Sequence, residues 1–475
     1  MSVLKPYHEY KETGVPWLEE VPEHWKIERA KWLFKKMDRP VRETDEVITC
    51  FRDGVVTLRK NRRVGGFTES LKEIGYQGIR RGDLVIHMMD AFAGAIGVAD
   101  SDGKGTPVYS ICKPNPGFNA FYYAYLVREM ARSQWVLALA KGIRERSTDF
   151  RYDEFASQLV PVPPHNEQDA LAHFLDHIDH HILRYIRAKR KLIKLLEEQK
   201  QVIIHQAVTH GLDPSVPLKP SGLEWLDKVP EHWAIKRLKQ VAKIQTGLTL
   251  GKNYQNLITN SYPYLRVANV QHGRLDLRVI KHIDVPPEEA VGAVLKFGDV
   301  LMTEGGDIDK LGRGCVWHGE IPNCLHQNHI FAVRCLENML LPKLLAALII
   351  SGHGRAYFQL TAKQTTNLAS TNSAILRSFP ILLPPIEEQH AIIEYIDSQT
   401  AVAETFIDNA RRSINILHEY RTRLISDVVT GKLDVRGIVL PEESDEAAEL
   451  EDWSECEVHD IEAMIDAEEV ADEAD

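Results

Sequence analysis

The sequence predicts an α+β chain: two mixed α/β heads separated by two long antiparallel coiled-coil helices, ordered as an internal pseudo-two-fold repeat. Three observations predict it. The pentapeptide VPEHW occurs at Val21–Trp25 and again at Val229–Trp233, and between Gly14 and Lys31 11 of 18 positions are identical at a fixed offset of 208. Chance pairing gives roughly one match. A second block repeats at an offset of 221, PVPPHNEQDALAHFLD from Pro161 and LLPPIEEQHAIIEYID from Leu382. Each copy of that block opens a long stretch in which apolar residues recur alternately every four and every three positions, the spacing of a coiled-coil seam.

Taken in order, the elements are a scaffold segment over 1–25, a head over 26–160, a long helix over 161–211, a second scaffold segment over 212–233, a second head over 234–384, a second long helix over 385–431 and a terminal segment over 432–475. The Pro-Pro pairs mark helix starts, because proline loses no hydrogen bond in the first turn and the acidic residues after it favour the positive dipole end. The first seam runs through Leu171, Leu175, Ile178, Ile182, Tyr185, Lys189, Leu192, Leu196, Gln199 and Ile203. Moved by 221, the same register gives Ile392, Ile396, Gln399, Ala403, Phe406, Ala410, Ser413, Leu417, Tyr420 and Leu424. Gly211 and Gly431, after Thr209 and Thr430, mark the stops. A helix of about 43 residues is roughly 65 Å long, and two such helices can bury their stripes on each other.

The heads share little sequence. Their common kernel is Gly82-Asp83-Leu84-Val85 against Gly298-Asp299-Val300-Leu301, a turn feeding a buried strand. Later stretches, from Asn119 and from Leu341, are helical. A repeated scaffold carrying divergent heads suggests two similar readers of two different targets.

Composition narrows the class. Charged residues at 26% and apolar residues at 44% are ordinary for a soluble protein. There is no apolar run long enough for a membrane span and no secretory leader pattern at the start. Six cysteines without a CxxC pair fit reduced thiols in a cytoplasmic protein. The net charge of −11 is concentrated at the end. Residues 442–475 hold 17 of the 68 acidic residues and no Lys or Arg, which leaves 51 acidic against 57 basic residues and a body of +6. The tail reads as a disordered or weakly helical solubilising appendage, or as an electrostatic mimic competing for a basic surface.

Catalytic motifs fail. NPGF at Asn115 lacks the second proline of an amino-methyltransferase loop, and GLTLGKN at Gly247 is one residue short of a phosphate loop. GGDIDKLG at Gly305 has no partner acid at nuclease spacing. His326 and His329 have no second ligand pair and read as core or DNA-facing residues. Basic clusters are the positive finding. The candidate DNA-binding residues are Arg59, Lys60, Arg62, Arg63, Arg80, Arg81, Lys141, Arg144 and Arg146 in the first head. In the second they are Lys252, Arg266, Asn269, Lys310, Arg313, Lys363 and Gln364. Arg and Lys neutralise phosphates and bond guanine edges, while Asn and Gln suit adenine.

The WLDKVPEHWAIKRLK block, the LPPIEEQ helix start, the helix ending LISDVVTGKLDV and the two-copy order resemble the specificity (S) subunit of type I restriction-modification systems, over roughly Gly14 to Asp434. The acidic tail lies outside that pattern. The resemblance implies two target-recognition domains, each reading half of a split site in double-stranded DNA, held about one turn apart. It implies that the paired helices serve as spacer and as docking surface for methylase (M) subunits, two of them, and that restriction (R) subunits join to cut DNA. It also implies no catalytic residue, metal or cofactor in this chain. S-adenosylmethionine, ATP and magnesium come with the partner subunits, and the target adenine is extruded by the methylase. VPEHW is expected at the joint between head and scaffold, with Trp and Pro packing there. Two alternatives stand beside this reading: a structural adaptor with two protein-binding heads and no DNA role, and an enzyme with an unrecognised active site.

Overall fold

A Gly-Asp turn starts the central strand of each head. Gly82 and Gly298 take left-handed φ of +86° and +83°, which glycine reaches without a Cβ clash. Asp83 then accepts from the Arg80 N–H at 2.8 Å and donates its own N–H to the Arg80 carbonyl at 3.0 Å; Asp299 does the same with Lys296 at 2.8 and 3.0 Å. Both carboxylates are buried, and each is met by a two-pronged arginine, Arg39 on Asp83 and Arg334 on Asp299. The apolar residues that follow, Leu84–Ile86 and Val300–Met302, are fully buried.

The structure is a computed structural model describing residues 4–62, 73–139, 149–249, 251, 254, 257–271, 273–306, 312, 314–364 and 369–440. It divides into unit 1, Met1–Arg187 with Ile414–Asp475, and unit 2, Ala188–Ser413. Unit 1 contains β1 (Phe34–Lys36), β2 (Leu84–His87), β3 (Ile96–Val98) and β4 (Tyr109–Pro114), then α1 (Ala120–Arg132) and the start of the long α2 (His165–His210). Unit 2 contains β5 (Ala242–Thr246), β6 (Val300–Thr303), β7 (Gly314–Val316) and β8 (Ile330–Cys335), then α3 (Pro342–Ile350) and the start of the long α4 (Ile386–Val429). The two sheets are antiparallel with matching orders, β1-β4-β2-β3 and β5-β8-β6-β7. In each unit a hairpin ends on the VPEHW segment: Tyr10–Val15 with Leu18–Pro22, and Leu218–Leu223 with Leu226–Pro230. The next strand pairs with the one that leads into the long helix, Lys26–Arg29 with Leu159–Val162 and Ala234–Arg237 with Pro380–Leu383. No helix among the described residues is long and apolar enough to cross a membrane.

The VPEHW tryptophan is the centre of each unit. Trp25 is buried, and its indole N–H donates to Glu167 Oε1 at 2.8 Å, while His24 Nε2 meets Glu167 Oε2 at 2.8 Å and the Tyr7 hydroxyl donates to Oε1 at 2.6 Å. Unit 2 repeats the arrangement with Trp233 and His232 on Glu388, at 3.0 and 2.7 Å. Glu167 and Glu388 lie in the first turns of α2 and α4. The residue after each ties the long helix to the head. Gln168 accepts from the Asn119 N–H at the start of α1, and Gln389 accepts from the Leu341 N–H at the start of α3, both at 2.9 Å. The same tryptophans receive the end of the other helix. A Cβ on Gly431 would stand 2.8 Å from the Trp25 ring and 2.5 Å from Pro22, and one on Gly211 would stand 3.3 Å from the Trp233 ring. Both glycines also hold positive φ, +79° and +74°, so no other residue fits there without strain.

The helices pair antiparallel. In unit 2 Glu197 meets Arg411 at 3.0 Å and Lys200 meets Glu404 at 2.8 Å; in unit 1 Asp179 meets Arg421. The seam differs from the sequence expectation. It holds as far as Ile182 and Ile396, and Ala403, Ala410 and Leu424 stay buried in the expected register, but alternate positions shift by one residue. Ile186 is 1% exposed where Tyr185 is 59% exposed, and Leu192 also faces solvent. In α4 the buried residues are Thr400 and Ile407, while Gln399 and Phe406 are exposed. The cause is the helix itself. At 3.6 residues per turn a straight helix drifts about 20° per heptad from a strict 3.5 repeat, and one extra four-residue step restores the stripe.

Two outcomes follow. Ile186→Ala should destabilise the chain by about 3 kcal/mol as a buried truncation, and Tyr185→Ala by under about 1 kcal/mol; a denaturant series giving the reverse order would restore the unshifted seam. Glu167→Ala leaves three donors without their carboxylate and should cost about 3 kcal/mol, and Trp25→Phe, which keeps a ring but loses a donor, about 1 kcal/mol. Hydrogen exchange should show the loss in unit 1 segments first, and equal protection in wild type and Glu167→Ala would remove the carboxylate from its central place.

Candidate nucleic-acid interface

The heads present the candidate side chains unevenly. Arg80 is 15% exposed and is used internally: its guanidinium bonds both Asp45 oxygens at 3.1 and 3.2 Å and the carbonyls of Ile79 and Gly103. Asn269 is buried, with its amide donating to the Asp276 and Val279 carbonyls and its oxygen accepting from the Arg266 N–H. These two residues hold turns together through those bonds. Arg266 is half-buried beside the same turn.

Other candidates are placed outward or in shallow pairs. Arg81 is exposed, and no ion pair of its guanidinium is found among the described residues; its backbone N–H bonds Asp102 and is the first cause holding that carboxyl below its usual range. Lys60 is exposed and pairs with Glu46 at 2.5 Å. Arg59 reaches the Thr49 hydroxyl at 3.3 Å. Arg62 pairs with Asp53 at 2.5 Å and lies 4.7 Å from the Phe51 ring centre. Burial works to raise the Asp53 carboxyl, but the bond and charge of Arg62 outweigh it and hold it low. Lys363 and Gln364 form a short strand paired with Ala369–Ser370. Arg63, Lys141, Arg144, Arg146, Lys252, Lys310 and Arg313 lie outside the described residues, as does the acidic tail from 441.

The rejected motifs have structural explanations. Asn115 of NPGF spends its amide on the Trp32 carbonyl at 2.8 Å and its N–H on that of Leu33. His326 is wholly buried, with Nδ1 on the Ala293 carbonyl at 2.9 Å; burial pushes its imidazole pKa down, against that hydrogen bond. His329 is exposed and pairs with Glu304. Among the described residues no three His, Cys, Asp or Glu side chains group to hold a metal ion.

Both sheets end in the same backbone junction. In unit 1 the Met88 N–H donates to the Val108 carbonyl at 2.9 Å, and the Met88 carbonyl accepts from Phe150 at 3.0 Å. In unit 2 the Glu304 N–H donates to His329 at 2.9 Å, and the Glu304 carbonyl accepts from Thr371 at 2.8 Å. Sequence reasoning missed Glu304 because it searched for cations. It also missed the function of Glu167 and Glu388, whose place in a helix's first turn reads as a dipole effect. The signal that could have found them is their fixed position, three residues after the Pro-Pro pair's second proline, in both copies.

Comparison with known proteins gives consistent matches. A family model described as the type I restriction modification DNA specificity domain matches residues 230–410. The putative type I restriction enzyme MjaX specificity subunit of Methanocaldococcus jannaschii is 24% identical over 207 residues, 43% of this chain and 47% of that one. The type I restriction enzyme EcoKI specificity subunit of Escherichia coli is 23% identical over 269 residues, 54% of each. The chain spans about half the length of these curated relatives. A chain solved in work on complex assembly and conformational transition of the type I R-M system superposes with a TM-score of 0.61 over 87% of this chain and 99% of that one. At 15% identity this is a likeness of fold.

Arg80 and Arg81 are neighbours in opposite situations, so substitution separates them. Arg81→Ala should lower the salt slope of DNA binding by about one unit with little change in stability. Arg80→Ala should leave the slope unchanged and destabilise unit 1 by about 3 kcal/mol, because it strands buried Asp45. Filter binding across a salt series and thermal melts read both, and an Arg80→Ala chain that melts normally but loses one unit of slope would reverse the assignment.

Proposed function

We propose that the chain is a specificity (S) subunit of a type I restriction-modification system, and that it reads a bipartite site in double-stranded DNA and directs partner subunits to methylate adenine there or to cleave the DNA. The observation that carries this reading is a DNA specificity domain over 230–410, set in a chain whose other unit repeats the same sheet order and the same Trp–Glu joint. Each head, 26–160 and 234–384, takes one half-site. The chain is non-catalytic, and S-adenosylmethionine, ATP and magnesium are carried by partners in the cytoplasm. A non-DNA adaptor is the lesser reading, because it leaves the domain match without a role.

Two methylase (M) subunits dock on the long helices, and restriction (R) subunits join them. The outward faces support this. Tyr185, Leu192, Leu195 and Val202 on α2, and Val402, Phe406, Ile416 and Tyr420 on α4, are exposed apolar side chains. Their spacing, seven, three and seven residues on α2 and four, ten and four on α4, keeps them on stripes away from the buried seam. Exposed apolar stripes of this kind mark partner surfaces.

The test is co-expression with the adjacent methylase gene and genome-wide mapping of N6-methyladenine. A motif in two halves around an unread gap is expected. Replacing residues 26–160 with the matching segment of another S subunit should change one half and leave the other. The absence of any motif, with DNA affinity indifferent to salt, would favour the adaptor.

A further inference from the structure

We propose that Glu304, positioned by His329, reads a base in the half-site of unit 2 by accepting a hydrogen bond from an exocyclic amino group, that of cytosine N4. This rests on the DNA-reading function proposed above and adds a residue and a chemistry to it.

The comparison of the two units carries the inference. The junction at the end of β2 and β4 and the junction at the end of β6 and β8 make the same two backbone hydrogen bonds. Met88 and Val108 occupy it in unit 1; Glu304 and His329 occupy it in unit 2. An apolar pair therefore serves the fold as well as a charged one, and the carboxylate and imidazole need another reason to be there. Neither side chain is spent on the core. Glu304 is 31% and His329 55% exposed, and they bond each other, Nδ1 to Oε2 at 2.6 Å. Among the described residues Glu304 Oε1 and His329 Nε2 have no protein partner. The pair stands where the chain enters a small sheet of Gly305–Gly306, Ala369–Ser370 and Lys363–Gln364. Glycine there lets another backbone come close.

A carboxylate facing DNA is selective for a simple reason. It can only accept hydrogen bonds, so guanine O6 and N7 and thymine O4 repel it. In the major groove the amino groups of cytosine and adenine are the donors, and Glu with cytosine N4 is the matched geometry. The cost of bringing an anion to a polyanion is recovered only at the right base, which turns repulsion into discrimination. His329 donates Nδ1–H to Oε2, which fixes the carboxylate plane and leaves Oε1 for the base. It is a positioning residue, since it acts through Glu304.

The experiment compares wild type, Glu304→Gln and the double variant Glu304→Met with His329→Val, which installs the unit 1 pair. Each is co-expressed with the methylase, and N6-methyladenine is mapped. The half-site of unit 2 is the one that the exchange of residues 26–160 does not alter. For Glu304→Gln we expect base preference to fall about tenfold at one cytosine position of that half, with every other position and the other half unchanged. The double variant should leave that position unread or biased to thymine. Preference within twofold of wild type at every position in both variants overturns the proposal. So does joint loss of both halves with a lowered melting temperature, which would make the pair structural. A wild-type chain that yields no motif overturns the DNA-reading function itself, an outcome separate from these.

Discussion

A carboxylate drawn into the protein, wholly for Glu167 and largely for Glu388, must be met by donors, and in each unit this requirement fixes the meeting point of the other elements. Glu167 and Glu388 project from the first turns of the long helices into a wall formed by His and Trp of VPEHW. The bond sets the entry angle of the helix. The glutamine beside it holds the helix of the head. The tryptophan's other side admits the end of the opposite helix, where a glycine leaves no Cβ in the way. Four elements converge on one indole, and the pentapeptide recurs because two such convergences exist. Leaving the buried Glu167 charge unpaired would cost several kcal/mol, a large fraction of a marginal stability, so that joint tolerates little variation.

Around that joint the heads are free to differ. Their sheets share strand order, the Gly-Asp turn and the terminal backbone junction, none of which depends on the exposed side chains. Affinity and selectivity can then be assigned to different atoms. Cations meeting phosphate are insensitive to sequence, whereas an acceptor-only group beside a base edge discriminates strongly. A shared frame with exchangeable side chains at its rim suits the reading of two unlike half-sites proposed above.

The repeat, the two long helices and the mixed heads were legible in the sequence because they rest on periodicity and identity, which are local properties. The alternate seam positions at Tyr185, Gln399 and Phe406 were not, because a heptad template ignores the drift of a 3.6-residue turn. Arg80 and Asn269 resembled DNA-facing residues by type. What claims them is Asp45, 35 positions from Arg80, and carbonyls 7 and 10 positions beyond Asn269. A side chain's partner in the folded chain cannot be read from its own identity. Glu304 was invisible for the converse reason: its interest appears only when it is set beside Met88, at an equivalence that backbone hydrogen bonds define and sequence similarity does not.

The two joints differ in one respect. In unit 2 the chain runs unbroken from the end of α2 at Gly211 to the hairpin at Leu218. In unit 1 the matching passage is open, and the segments before and after unit 2 meet there without a covalent link: the Asp434 N–H donates to the Lys5 carbonyl at 2.8 Å, Tyr10 reaches the Lys432 carbonyl at 3.2 Å, and Arg436 lies 4.9 Å from the Tyr7 ring. Chain order therefore becomes folding order. Unit 2 is one continuous stretch and can close as soon as residue 413 is free of the ribosome, whereas Trp25 waits for Gly431 and Tyr122 for the Val429 carbonyl, 307 positions later. Contacts so distant in sequence form slowly, and during that wait the apolar wall of unit 1 stands open to chaperones and to misassembly. The segment of unit 1 that precedes unit 2 in the chain is completed only after unit 2.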